Sequence, residues 1–214
     1  MKILFLYSEL AQYFLDCVNI LVEKTEVTII HWPVNKEAPF KFKVDKRVKL
    51  LEKTENTNLM DKISEVSPDA IFVAGWIDKE YIKAIGMLGD QVKRIISFDT
   101  SWKGSLKQRV GLIPLKIFVG RHFNYAFISG EMQADYAQKL GIPGINIYKG
   151  FYTAAVNQFE QVFKKRQEYP KTILFVARYV KHKGIFELWE AFIELTNEGF
   201  SDWKLVCAGT GDQW

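Results

Sequence analysis

The chain is short of the residues that build redox, metal and membrane proteins. Its 214 residues hold two cysteines, Cys17 and Cys207, one in a predicted helix and one in a predicted strand of different domains. That count excludes a disulfide framework and reads as two reduced, buried thiols. None of the three histidines, His31, His122 and His182, has metal-ligand spacing with another, so no metal is expected. No uncharged apolar run approaches the ~18 residues of a membrane span, and the N-terminus enters a strand rather than a signal peptide. The expected location is therefore the cytoplasm, free or peripheral to the inner face of a membrane. Internal repeats and low-complexity tracts are absent. No Gly-x-Gly-x-x-Gly turn follows the first predicted strand, where Ser8-Glu9-Leu10-Ala11-Gln12 stands, which argues against a nicotinamide-dependent oxidoreductase. Lys103-Gly104-Ser105 has the wrong order for a P-loop.

The charge surplus is small, +4, and the aromatics do not alternate with a basic stripe, so nucleic acid is not an expected partner. Basic residues gather in two places, residues 36–49 (Lys36, Lys41, Lys43, Lys46 and Arg47 among Phe40 and Phe42) and residues 103–121. Each has two readings, a solvated face or a contact for anionic lipid head groups or a lipid-linked pyrophosphate.

What the chain does have is concentrated near its C-terminus. A strand-like run at 172–177 leads into Arg178-Tyr179-Val180-Lys181-His182-Lys183-Gly184 and then a helix-like run over 185–195. Ile185, Leu188, Trp189, Phe192 and Leu195 recur at steps of three and four, the period of one buried helical face. A second strand at 203–208 is followed by Gly209-Thr210-Gly211, completing a βαβ unit. A helix leaves its first N–H groups unpaired and its N-terminus partly positive, so Arg178 and Lys183 would add two full charges to a turn already suited to a diphosphate. The competing reading is a solvated basic turn.

From Thr172 to Gly211 the chain resembles the start of the donor-binding domain of group 1 (family 4) glycosyltransferases of GT-B architecture, which pair two Rossmann-like domains across a cleft. The resemblance implies that Arg178, Lys183 and Gly184 contact the diphosphate of a nucleotide sugar, with Gly209 and Gly211 in the second glycine loop. It also implies that the chain ends within its donor domain, before the family's glutamate pair. Retention of anomeric configuration and transfer without a metal or other cofactor follow from the same resemblance.

The remaining elements fit an α/β chain with a Rossmann-like N-terminal domain over 1–150, a connection over 151–170 and a partial donor domain over 171–214. Strands are predicted at Lys2–Tyr7, 26–32, Ala70–Ala74, 92–98, 125–129 and 145–148, and helices at 10–22, 58–66, 79–88 and 131–140. By the resemblance, the N-terminal domain takes the acceptor, a saccharide or a lipid-linked saccharide, at its strand ends. Ser8 and Glu9 stand where many family members have glycine, and Asp99, Trp102 and Lys103 where many carry a histidine. Asp99 is the candidate catalytic group, orienting the acceptor hydroxyl or accepting its proton; as a cap or loop aspartate it would do neither. The expected activity is sugar transfer from a nucleoside diphosphate sugar in cell-envelope polysaccharide or glycolipid assembly. The alternative is a non-catalytic acceptor- or partner-binding module, and the 214 residues alone are expected to be inactive and prone to dimerise.

Overall fold

The computed structural model describes residues 1–34, 41–153, 155–156 and 170–212. Most of the connection predicted over 151–170, including Lys164, Lys165 and Arg166, lies outside the described residues, as do Lys36 and Phe40 of the first basic run. The chain divides into two units, the first reaching Ala155 and the second starting at Val156.

Unit one is built on a parallel sheet. Its strands are β1 (Lys2–Tyr7), β2 (Glu26–His31), β3 (Lys49–Glu52), β4 (Ala70–Ala74), β5 (Lys93–Phe98), β6 (Tyr125–Ile128) and β7 (Ile147–Lys149), arranged β3-β2-β1-β4-β5-β6-β7. Every neighbouring pair runs parallel. Central strands of such a sheet are covered on both faces and so need apolar side chains at successive positions. β1 meets this need. Leu4 and Leu6 enter one core with Ile30, Ile71, Val73 and Ile96, while Ile3, Phe5 and Tyr7 join Phe14, Leu15 and Val18 of α1 (Gln12–Leu21) in a second.

Four helices furnish the first core: α2 (Leu59–Val66) through Leu59 and Ile63, α3 (Lys79–Gly86) through Tyr81 and Ile85, α4 (Leu106–His122) through Val119, and α5 (Glu131–Lys139) through Tyr136 and Ala137. Asn58 and Asp78 start α2 and α3 by accepting from the N–H groups of Met60 and Asp61, and of Glu80 and Tyr81. Asp78 also ties strand ends to α3. Its second oxygen accepts from Trp32 Nε1 and Lys53 Nζ, each at 2.6 Å, and Lys53 lies 4.8 Å from the centre of the Tyr81 ring. Burial works to raise the Asp78 carboxyl, but the Lys53 ammonium and the Trp32 indole outweigh it and hold the carboxyl below its ordinary value.

Unit two pairs β8 (Thr172–Val176) with β9 (Lys204–Ala208) in parallel around α6 (Ile185–Asn197). Tyr179 and Ile185 are buried, whereas Leu174, Val176, Phe186 and Ile193 stay exposed. The two thiols are half-buried rather than buried: Cys17 lies 3.2 Å from the carbonyl of Tyr13, and Cys207 accepts from the Trp189 indole at 3.4 Å. Among the described residues no helix is long and apolar enough to cross a membrane.

Candidate functional site

In a parallel α/β sheet the loops after neighbouring strands diverge where the strand order reverses, which opens a crevice at the carboxyl ends. Here β1 is that point, with β2 and β3 on one side and β4 to β7 on the other. A cavity of about 350 Å³ lies there, lined by Ser8 and Glu9 after β1, Gly75 and Trp76 after β4, Asp99 and Thr100 after β5, and Phe151 and Tyr152 after β7. Gly75 has φ +68, a left-handed backbone that glycine adopts without a Cβ penalty, and its N–H donates to the Ser97 carbonyl at 2.7 Å.

Three of the sequence-chosen residues, Ser8, Glu9 and Asp99, therefore share one cavity. Asp99 is exposed and caps none of the described helices; its backbone carbonyl accepts from Gln133 Nε2 at 2.8 Å. Trp102 and Lys103 do not line the cavity. Trp102 packs on the Tyr136 ring at 5.5 Å between centroids, with Lys139 5.9 Å from its own ring, and Lys103 is exposed with its N–H donating to Gln108 Oε1.

Sequence reasoning missed the phenols. Tyr7, Tyr13 and Tyr152 all line the cavity, Tyr13 and Tyr152 meeting edge to face at 5.1 Å. Burial pushes the Tyr7 and Tyr152 hydroxyls well above the ordinary tyrosine value, and the negative charge of Asp99 pushes the same way on both. A hydrogen bond between Tyr152 and Asp99 adds to the effect. The Ser97 hydroxyl, also on the lining, is buried and has no hydrogen-bond partner among the described residues. The walls thus offer hydroxyls and carboxylates against aromatic faces, a donor and acceptor set suited to a polyhydroxylated ligand. A signal for Tyr152 was present: it follows a strand as Asp99 and Ser8 do.

His31 is buried in β2, with Nδ1 donating to the Trp32 carbonyl at 2.6 Å, and His122 is half-buried, donating to the Phe118 carbonyl at 2.7 Å. Neither is among the described residues that line the cavity at β1. Among the described residues no group of three or more His, Cys, Asp or Glu is placed to hold a metal ion.

In unit two the basic turn folds as a short 3₁₀ segment, Lys181–Lys183, and Gly184 at φ +70 opens α6 with no side-chain cap. Arg178, Lys181, His182 and Lys183 are all exposed, and Glu187 stands in the first turn of α6. The glycine loop lies directly against this turn. A Cβ on Gly209 would sit 1.9 Å from the Ala177 carbonyl oxygen and one on Gly211 would sit 2.3 Å from that of Tyr179. Tyr179 N–H donates to the Thr210 carbonyl at 2.8 Å between them. Here the glycines have a structural duty that the sequence did not reveal, since they let the loops after β8 and β9 close on each other. The result is a backbone-locked turn carrying solvent-facing cations.

No family model and no curated protein matches the sequence. Solved structures do. A UDP-GlcNAc 2-epimerase from Neisseria meningitidis, bound to UDP-GlcNAc, aligns at 16% identity and TM-score 0.58 over 97% of this chain and 65% of its own. An alpha-glucosyltransferase in complex with UDP-glucose and abasic-site DNA aligns at 13% and 0.57 over 98% of this chain and 57% of its own. HepE of Anabaena, in complex with UDP and glucose, aligns at 12% and 0.50 over 91% and 58%. The chain shares the GT-B fold. It spans less than two-thirds of the length of each of these proteins.

Proposed function

We propose that the chain belongs to a group 1 (family 4) type glycosyltransferase that moves a sugar from a nucleoside diphosphate sugar to a saccharide or lipid-linked acceptor. Retention of configuration, independence from metal and a place in envelope polysaccharide or glycolipid assembly are parts of the same reading. The observation that carries it is the turn from Arg178 to Gly184, where exposed basic residues directly precede a helix N-terminus and the opposing glycine loop lies against the backbone. Arg178 and Lys183 would stabilise charge growing on the departing diphosphate, which fixed cations do without reorganising during the reaction. The acceptor would enter the cavity at β1, with Asp99 orienting or deprotonating its hydroxyl. The fold's likeness to proteins solved with UDP, UDP-glucose and UDP-GlcNAc agrees with such a donor.

A second reading is favoured by the recurrence of UDP-GlcNAc 2-epimerases among similar structures, from Neisseria meningitidis and Rickettsia bellii. It differs in its product, since an epimerised nucleotide sugar would form with no acceptor present. The shared premise is tested by titrating UDP into the parent chain, Arg178→Ala and Lys183→Ala. Loss of one charge-assisted contact weakens binding by about 1.5–3 kcal/mol; unchanged affinity in both variants refutes the cradle.

A further inference from the structure

Helix α4 carries two apolar faces, and only one of them is packed. At 100° per residue, Leu112, Leu115, Phe118 and Val119 fall on one side, where they meet the core of unit one. Leu106, Val110, Ile113 and Ile117 fall on the opposite side within roughly 60° of arc, and they are 78%, 72%, 68% and 66% exposed. Four aliphatic side chains in a row on a solvent-facing helix are unlike the isolated exposed apolar residues of ordinary surfaces.

The cations lie beside this stripe. Arg109 and Lys116 flank one side of it, Lys107 and Arg121 the other, and all four are exposed. From residue 100 to residue 130 the chain contains no aspartate or glutamate. A protein partner of ordinary mixed charge would not require that exclusion. An apolar stripe bordered on both sides by unopposed cations complements a layer whose head groups are anionic and whose next few ångströms are hydrocarbon.

We propose that the exposed face of α4 docks this protein on an anionic lipid bilayer, the stripe sinking to the base of the head groups while the lysine and arginine side chains reach the phosphates. At 17 residues the helix is about 25 Å long and would lie in the plane of the surface. The inference stands apart from the sugar-transfer reading, since it uses no residue of either candidate site.

The test is co-sedimentation of the 214-residue chain with vesicles of pure phosphatidylcholine and with vesicles in which one lipid in three is phosphatidylglycerol. Binding is expected to the second kind only, weakening as salt rises. Lys107→Gln and Lys116→Gln should each weaken it about fivefold. Ile113→Asp with Ile117→Asp should abolish it with circular dichroism and thermal transition unchanged, because both side chains are already in water. Failure of the parent to bind anionic vesicles, or equal binding by the double aspartate variant, overturns the proposal. So does a parent that is dimeric by analytical ultracentrifugation, indifferent to lipid and made monomeric by the aspartates, which would assign the stripe to a second copy of the chain.

Discussion

The turn after β1 and the turn after β8 are the same device, the first strand of a parallel unit handing over to a helix, yet they present opposite chemistry. After β1 the chain places Ser8 and Glu9, with Asp99 and three tyrosines closing the cavity, and among the described residues no cation lines it. After β8 it places Arg178, Lys181 and Lys183 in the open around Gly184. Backbone geometry alone favours anions at both, because each helix N-terminus is partly positive and neither has a side-chain cap. The side chains decide otherwise: carboxylates cancel that preference in the first turn and guanidinium and ammonium groups reinforce it in the second. On the proposed reading the first takes a neutral hydroxylic ligand and the second a diphosphate.

The sharpest way to break the comparison is Asp99→Asn, which keeps shape and removes charge. If Asp99 serves the acceptor hydroxyl, turnover of an active enzyme that contains this chain together with a complete donor domain should fall about 100-fold or more while UDP affinity stays at the parent value. Normal turnover would reduce Asp99 to a loop residue. The second turn is attacked through its support rather than its charges. In Gly211→Ala the new methyl meets the Tyr179 backbone, the loops must part, and unit two should lose about 2–3 kcal/mol together with UDP binding. Unchanged affinity in that variant would mean that the cations need no locked backbone.

How much of this was legible depended on whether one face or two carried the signal. The predicted helices of unit one bury a single stripe, and periodicity located them and α6 to within a few residues; on the face predicted to be buried in α6, however, only Ile185 is buried, while Leu188 and Phe192 are half-buried and Trp189 and Leu195 are exposed. α4 escaped detection because its apolar residues lie on two opposite faces, leaving no 3.6-residue alternation, and because Pro114 sits in its middle. Its start was nevertheless written in Ser105 and Gln108, where the serine accepts from the N–H three residues on. β3 was missed for a different reason: its four residues Lys-Leu-Leu-Glu form the sheet edge, too short for a pattern. Of the candidate site, the residues beside recognisable strand ends could be named. The phenols could not all be, since Tyr13 comes from α1, and only the folded sheet brings it to Asp99.

The smallest expected effect separates the turns by pH. Tyr7 and Tyr81 are buried in unit one, and burial raises both hydroxyls well above the ordinary value near 10. A raised folded pKa means that the unfolded chain releases these protons first as pH rises. Their contribution is therefore intact below about pH 10 and is lost above it, at ~1.4 kcal/mol per pH unit for each tyrosine. Tyr7→Phe keeps the ring stacked on Phe14, 3.9 Å away between centroids, and removes one of these titrating groups. Urea unfolding followed from pH 8 to pH 11 should then show the variant losing stability less steeply than the parent, by about 0.4 kcal/mol at pH 10 and ~1.4 kcal/mol at pH 11. In the Arg178 turn burial also raises the Tyr179 hydroxyl, but Tyr7→Phe leaves that group untouched, so UDP affinity should differ between parent and variant at no pH in that range where both are folded. Parallel stability curves would show that Tyr7 ionises as freely in the folded protein as in the unfolded chain, and that the wall of the first turn is wetter than its burial implies.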